Sequence, residues 1–410
     1  MGMALEKFLM QEIELGRIRS LSHNFPLVRS VELGDFAPAS GDLALGPDDF
    51  ENREIELAES PEAYAHLLWS ETIQQQARLA LERWLETRPG AFGGVIGGFA
   101  DYKREDLSTI SPSRLAEYLG CPFAYWMSRI LKIAPLEEPE QVREFEPKGK
   151  GELVHRALHS LLQEIMKNNL GQDQSQALKK LAEFLENRGR EYLREEYQAQ
   201  EELIANELDN IYFYLANIYQ QLLPAPECRK VLSEEKIDSQ KVELEFEPGR
   251  KVRLAGLIDR VDMEGTDVKV IDYKVAGSGE SFRKDPLRQL QLPIYLFSVV
   301  NMFGLNPESA SAGFLLMNLK PFALPEKSLL ITGKNFPKHL QALRQLVKIM
   351  IDGIESGVFA PAQQKCDYCD YAQTCFATTA SFRPKLRTGW LQELLATIDR
   401  CNFLKIENEK

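Results

Sequence analysis

Gly256-Leu-Ile-Asp259-Arg260-Val-Asp262, followed by Val270-Ile271-Asp272-Tyr273-Lys274, is the stretch from which the rest of the chain can be read. Glu264-Gly265 between them is a turn signal, so the two segments form a strand pair with Asp259 and Asp272 on neighbouring strands. Residues two apart on a strand share a face, which puts the Lys274 ammonium beside the Asp272 carboxylate. Taken alone, Asp-x-Lys on a strand is an exposed ion pair worth at most ~1 kcal/mol. The apolar context changes that reading. Val270 and Ile271 run directly into Asp272, and Gly256, Leu257 and Ile258 into Asp259, so both acids end segments that read as buried, where an uncompensated charge is costly. Buried paired acids need a cation. A hard divalent ion such as Mg²⁺ or Mn²⁺ suits them, since it prefers oxygen ligands and takes few protein carboxylates. The lysine could orient a water nucleophile and stabilise developing negative charge.

Working outward, Val242, Leu244 and Phe246 alternate with charged residues, Pro248-Gly249 turns the chain, and Val252, Leu254 and Leu257 continue a second strand. With 268–274 this predicts three adjacent antiparallel strands. A helix is predicted from Asp285-Pro286 to Met302, kinked by Pro293. Phe314 to Leu319 reads as a buried strand, and His339 to Glu355 as an amphipathic helix ended by Gly357. No proline occurs between Pro147 and Pro224, and Leu178, Leu181, Phe184, Leu185, Leu208, Ile211, Leu215 and Ile218 recur at helical spacing. Their many charges read as solvated outer faces. Ser111-Pro112 is a helix start, and after Cys121 a second helix begins at Pro122, with Phe123, Trp126, Met127, Ile130 and Leu131 as a buried stripe. The fold class is therefore α/β, a central mixed β-sheet flanked by helices.

The chain has 410 residues, 44% of them hydrophobic and 27% charged, which fits a folded protein of two or three domains. Residues 1–107 read as a helical accessory region, with a helix from about Pro61 to Thr87, 108–380 as the principal domain, and 381–410 as a helical tail. No uninterrupted apolar run reaches membrane-spanning length and the start lacks a signal-peptide pattern, so the expectation is a cytoplasmic protein without a membrane partner. The net charge of −12 weighs against a nucleic-acid partner at first sight. The first 100 residues hold 16 acidic and 8 basic residues, however, leaving 45 against 41 in the rest, where a local basic groove remains open. Ile331-Thr-Gly-Lys334-Asn335 fails the Gly-x4-Gly-Lys-[Ser/Thr] pattern, so no ATP hydrolysis is expected from the chain.

Cys366-Asp-Tyr-Cys369-Asp-Tyr-Ala-Gln-Thr-Cys375 sets three thiols within ten residues. That spacing points to a metal, and four sulfurs would fit Zn²⁺ and an iron–sulfur centre equally well. Cys121 is the candidate fourth ligand, while Cys228 and Cys401 read as ordinary thiols. His155 and His159, one helical turn apart, could instead present two imidazoles to zinc.

Gly151-Glu-Leu-Val-His155, Gly256 to Arg260, Asp272-Tyr273-Lys274 and Gln291-Leu-Pro-Ile-Tyr295 follow one another in the order of the G-x-x-x-H, G-x-I-D-R, D-Y-K and Q-x-x-x-Y elements of RecB-type nucleases. The chain thus resembles the PD-(D/E)xK nuclease superfamily. The resemblance implies a restriction-endonuclease-like sheet and a metal-dependent DNA exonuclease active in double-strand break processing and recombinational repair, on linear ends or single strands. It implies His155, Asp259, Asp272 and the Tyr273 carbonyl as ligands of Mg²⁺ or Mn²⁺, Lys274 as the residue that activates water, and Gln291 and Tyr295 as supports that contact DNA. One cysteine before these motifs and three after resembles the [4Fe-4S] variety found in AddB-type components of helicase–nucleases, with Cys121, Cys366, Cys369 and Cys375 as ligands and a helicase–nuclease partner. Residues 1–107 would then be a remnant of a helicase-like module, or the chain a free-standing nuclease. The competing reading is a non-catalytic DNA-binding subunit stapled by an iron–sulfur cluster or by zinc.

Overall fold

In a computed structural model, the chain divides into two units, Met1–Trp84 and Leu85–Lys410. The structure describes residues 94–97, 106–134, 145, 147–168, 173–197, 200–225, 228, 230–275, 279–317, 326–362, 366, 369–372, 374–375 and 389–408, all in the second unit. The accessory helix read at Pro61 to Thr87 lies outside the described residues.

Two sheets organise this unit. The larger has five strands in the order β2-β5-β6-β7-β8, comprising β2 (Lys230–Lys236), β5 (Leu257–Glu264), β6 (Asp267–Lys274), β7 (Ala310–Leu316) and β8 (Glu326–Thr332). β6 and β7 run parallel and the other pairs antiparallel, so the sheet is mixed. The smaller has the order β1-β4-β3, with β1 (Thr109–Ile110), β3 (Glu243–Glu247) and β4 (Arg250–Leu254). The expected run of three adjacent antiparallel strands is therefore corrected. Val252 and Leu254 belong to the small sheet, while Leu257, 47% exposed, opens a strand of the large one. The chain changes sheet at Ala255-Gly256. A Cβ at Gly256 would approach the Ile237 and Tyr295 side chains to 3.2 Å, so the crossing passes closest to them where no side chain intervenes.

The helices are α1 (Pro112–Gly120), α2 (Pro122–Tyr125), α3 (Pro147–Lys167), α4 (Gln174–Phe184), α5 (Arg190–Tyr197), α6 (Glu201–Asn217), α7 (Tyr219–Leu222), α8 (Gly279–Lys284), α9 (Gln291–Phe303), α10 (Phe336–Glu355), α11 (Gly389–Arg400) and α12 (Phe403–Asn408). Ser111 caps α1 by accepting from the Arg114 amide. The stripe expected after Pro122 is only partly buried. Trp126–Ile130 winds as a π turn, which rotates Tyr125 and Met127 inward and leaves Leu131 42% exposed. Pro293 does not kink its helix. It is the third residue of α9, where the first-turn amides lack intrahelical acceptors, so no hydrogen bond is lost.

The large sheet separates two cores. On one side Val261, Val268, Val270 and Phe314 pack with α9 and α10. On the other, Tyr273 and Met317 pack against Val154, Leu158, Leu208 and Ile211 of the helical lobe α3–α7. A sheet buried on both faces leaves its strand ends as the place where polar side chains from both layers meet. Among the described residues, no helix is long and apolar enough to cross a membrane.

Candidate active site

The turn at Gly265, with φ +64°, sets β5 against β6 so that Val261 lies opposite Val270 and Arg260 opposite Ile271. Beyond these pairs, Asp259 and Asp272 come together at the end of the strands. One Asp259 carboxylate oxygen, Oδ2, accepts the Tyr273 backbone N–H at 2.8 Å, and the other, Oδ1, lies 3.3 Å from His155 Nδ1. His155 reaches it from α3, where Val154 and Leu158 anchor the helix in the lobe core. The imidazole also meets the Tyr273 ring edge-on, at 6.1 Å between centroids.

Asp272 and Lys274 share a face, as their spacing predicts. Lys274 Nζ lies 2.6 Å from Asp272 Oδ2 and donates to Gln291 Oε1 at 2.5 Å. Gln291 Nε2 in turn donates to the Tyr295 hydroxyl one turn further along α9, at 3.3 Å. The ammonium also sits over the Phe314 ring, 5.5 Å from its centroid. Sheet, lobe helix and α9 thus each bring part of one chain of contacts, from His155 through Asp259 and Asp272 to Lys274, Gln291 and Tyr295.

Asp272 is 1% exposed, and its Oδ2 faces the Lys274 ammonium at 2.6 Å. Burial pushes its carboxyl up to about 6, against the pull of Lys274, and the Asp259 charge adds to the rise. Burial also disfavours a charged His155, but the contact with Asp259 and the charges of Asp259 and Asp272 outweigh it and raise its pKa. Lys274 and His155 are the positive groups beside the two carboxylates. A buried carboxylate next to a second carboxylate and an imidazole is a donor set that fits a hard divalent cation. As they stand, no three His, Cys, Asp or Glu side chains among the described residues are grouped closely enough to hold a metal.

A cavity of about 560 Å³ opens onto this cluster, lined by His155, Asp259, Tyr273 and Lys274. Glu152, Arg156 and Glu234 line it too, and no sequence motif points to them. Glu234 has φ +53° and stands opposite Asp259 in the continuous β2–β5 register, between the pairs Ser233↔Arg260 and Glu235↔Ile258. Nothing in Lys230–Lys236 signals this left-handed residue. Arg260 and Asp262 form a further pair that the motifs leave without a role. The guanidinium, 2% exposed, donates to both oxygens of Asp262 at 2.6 and 2.7 Å and to the Leu222 carbonyl at 2.6 Å, and approaches the Tyr273 hydroxyl at 3.5 Å. Two charged residues at i and i+2 on a buried strand are the signal that could have found it. His159 is committed elsewhere: Nδ1 faces the Ser233 hydroxyl at 2.7 Å and Nε2 the Gln163 amide at 2.9 Å.

The cysteines lie apart from this cavity. Cys121 joins α1 to α2 and is half-buried, as are Cys369 and Cys375, while Cys366 is exposed. The Tyr371 hydroxyl, between Cys369 and Cys375, donates to the Ile133 carbonyl at 2.8 Å, just beyond the helix that Cys121 opens. Tyr118 likewise donates to the Val358 carbonyl, and Trp126 packs on Phe359 with centroids 4.6 Å apart. The first helices and the segment leading into the cysteine run are therefore held together by contacts of their own.

The family model of the PD-(D/E)XK nuclease superfamily matches residues 109–376. The chain is also similar to an ATP-dependent helicase/deoxyribonuclease component of Thermoanaerobacter sp. (strain X514), 24% identical over 280 residues, 61% of this chain and 22% of that protein. The protein of the same name from Clostridioides difficile (strain 630) is 26% identical over 216 residues, 47% of this chain and 18% of that protein. The chain spans about a fifth of the length of these curated relatives. The family match runs from β1 through the paired acids and α9 to the last clustered cysteine, well over half of the chain, and on that extent the chain belongs to the PD-(D/E)XK nuclease superfamily.

Proposed function

We propose that this protein is a cytoplasmic, divalent-cation-dependent deoxyribonuclease that degrades DNA from its ends during double-strand break processing, alongside a helicase–nuclease partner. The observation that carries the reading is Lys274, whose ammonium joins buried Asp272 at 2.6 Å to Gln291 at 2.5 Å beside the Asp259–His155 contact.

His155, Asp259, Asp272 and the Tyr273 carbonyl would hold Mg²⁺ or Mn²⁺. The cation, when bound, lowers the pKa of water and neutralises phosphate charge. The side chains divide the remaining work. The Tyr273 amide holds Asp259 in place. Lys274 orients the water nucleophile and faces the negative charge that develops on the phosphate oxygens, a preorganised contribution that requires no rearrangement during reaction. Gln291 fixes the ammonium and Tyr295 fixes Gln291, so α9 sets where that charge sits. With cleavage of linear DNA measured in Mg²⁺ or Mn²⁺, Lys274→Ala and Asp272→Asn should each lower the rate by ~10²–10³. Unchanged rates in both variants would remove the hydrolytic reading. DNA retention without turnover would instead favour a non-catalytic binding role.

Cys121, Cys366, Cys369 and Cys375 would carry a [4Fe-4S] cluster that clamps the two ends of the domain. The Tyr371–Ile133 and Tyr118–Val358 contacts support this by joining the segments from which those cysteines come. Such a cluster would act as a staple, without passing electrons to the reaction. Iron content and visible absorbance of anaerobically purified protein separate it from Zn²⁺.

A further inference from the structure

Lys274 borders two hollows. The first is the acid-lined cavity that holds His155, Asp259, Glu152 and Glu234. The second, of about 350 Å³, has Pro112 and Ala116 of α1 on one side and Phe282, Leu287 and Leu290 on the other, with Lys274, Gln291 and Arg288 as its principal polar groups. Its size falls in the lower part of the ~300–1,000 Å³ range of small-ligand pockets.

The two hollows differ in the charges that line them. The first carries three carboxylates, Glu152, Glu234 and Asp259, alongside His155, Arg156 and Lys274. No carboxylate lines the second. Its walls are buried hydrophobic side chains, with Phe282 4%, Leu287 6% and Leu290 1% exposed. Its cations lie at the rim. Arg288 stands over the Phe282 ring, 5.6 Å from its centroid, with Asp285 at 3.4 Å and the Ser281 hydroxyl at 3.3 Å, and remains 42% exposed. The other face of Phe282 is covered by Phe314, 4.9 Å between centroids. The guanidinium is thus held over an aromatic ring with part of its surface open to solvent, and guanidinium planes stack on nucleobases.

We propose that this second hollow is a nucleobase subsite, which takes the base of the nucleotide next to the scissile phosphate while Lys274 and Arg288 flank its backbone. The assignment rests on the nuclease reading in one respect, that the reacting phosphate lies at Lys274. Continuity argues for it, since one side chain, Lys274, lines both hollows. Ser113, Gln291 and Lys274 are the polar groups among the apolar walls, so the subsite accepts any base by shape and stacking and gives little sequence preference.

The test walks a single abasic position along short fluorescein-labelled single strands and measures binding to the full chain by anisotropy, in EDTA to arrest cleavage. One abasic position should weaken binding about tenfold, a typical effect of losing one stacked base. Ala116→Trp, which fills the hollow, should abolish that penalty. Arg288→Ala, on an exposed side chain, should reduce it and keeps the test decisive if the tryptophan disturbs α1. The proposal is overturned if no position carries a penalty, or if the penalty survives in both variants. Cleavage of the same strands in Mg²⁺ separates the two claims: a base penalty without cleavage upholds the subsite and removes the hydrolytic reading, whereas cleavage without a base penalty does the reverse.

Discussion

Replacing Asp262 or Arg260 singly should damage this protein far more than replacing both. The pair lies inside β5, 3% and 2% exposed, with two hydrogen bonds at 2.6 and 2.7 Å between carboxylate and guanidinium. Burial works against the Arg260 charge, but Tyr273 and Asp262 keep it protonated. Asp262→Leu strands a buried guanidinium and Arg260→Met strands a buried carboxylate, and breaking a buried pair from one side costs about 3–5 kcal/mol. The double variant removes both charges. Apolar replacement of a buried pair is neutral or stabilising by ~1–4 kcal/mol, set against ~1–3 kcal/mol for the Leu222 carbonyl that loses its donor. The double variant should therefore lie within about 3 kcal/mol of the wild type, and the cycle should give a coupling energy of several kcal/mol. Urea unfolding followed by far-UV circular dichroism measures all four corners. Single losses that simply add, with a coupling energy below ~1 kcal/mol, would refute the argument that the two buried charges are tolerated only as a pair.

Gln291→Ala removes the acceptor that fixes the Lys274 ammonium; steady-state cleavage should show kcat reduced by about 10- to 100-fold with KM little changed. Gly333→Ala should destabilise by ~1–3 kcal/mol in a thermal melt, because its Cβ would fall 1.5 Å from the Pro307 carbonyl oxygen and 2.9 Å from that of Ala310, both backbone atoms. Acid should loosen α12 from the sheet. His339 Nε2 lies 2.9 Å from Glu407 Oε2, and burial lowers the His339 pKa even against that carboxylate, its Nδ1 having no partner to receive a second proton. The Glu407 pKa is also lowered, since hydrogen bonds from Thr332 and His339 outweigh its burial. Both groups have folded pKa values below their unfolded ones, so both contribute stability that is lost as pH falls: first below 6.5, where the unfolded imidazole takes up a proton, then below 4.5, where the unfolded glutamate does. The protection factors of the Phe403–Asn408 amides, referred to intrinsic exchange at each pH, should therefore fall between pH 7.5 and pH 5, and a flat profile would contradict it.

The strand pair around Asp259 and Asp272 is legible in the sequence because its hydrophobic residues lead into acids at fixed spacing, and a period of two then places Asp272 and Lys274 on one face. β2 and β8 are not legible. Both are edge strands of the large sheet, and an edge strand needs no continuous apolar alternation. In β2, moreover, the left-handed backbone at Glu234 interrupts the extended run. The division of β4 from β5 is hidden for a different reason. Leu254-Ala-Gly-Leu257 keeps an apolar pattern, and only the tertiary approach of Ile237 and Tyr295 to Gly256 shows that the chain is changing sheets there. The kink expected at Pro293 fails because a proline's effect depends on its distance from the helix start, and the helix begins at Gln291, six residues after Asp285. Arg260 and Asp262 are written in the same motif as Asp259, but their role lies in contacts with Leu222 and Tyr273, which no local pattern encodes.

These contacts explain how one short strand can serve both cores. Residues of β6 that face the helical lobe, Tyr273 and Ile271, carry the lobe against the sheet, and Arg260 fastens Tyr273 to the end of α7. The backbone amide of that same Tyr273 holds Asp259 at 2.8 Å. The neighbouring side chains, Asp272 and Lys274, meet α9 on the opposite face through Gln291. Tyr273 therefore couples lobe packing to carboxylate position through two different groups, its hydroxyl and its amide. A shift of the lobe relative to the sheet would move His155, which comes from α3, against Asp259, Asp272 and Lys274, which stay with the paired strands β5 and β6. The distance between the imidazole and Asp259 is thus set by packing between layers, more than by either element alone, and this is why the ion pair that fastens Tyr273 to the end of α7 is a place where that geometry is open to perturbation.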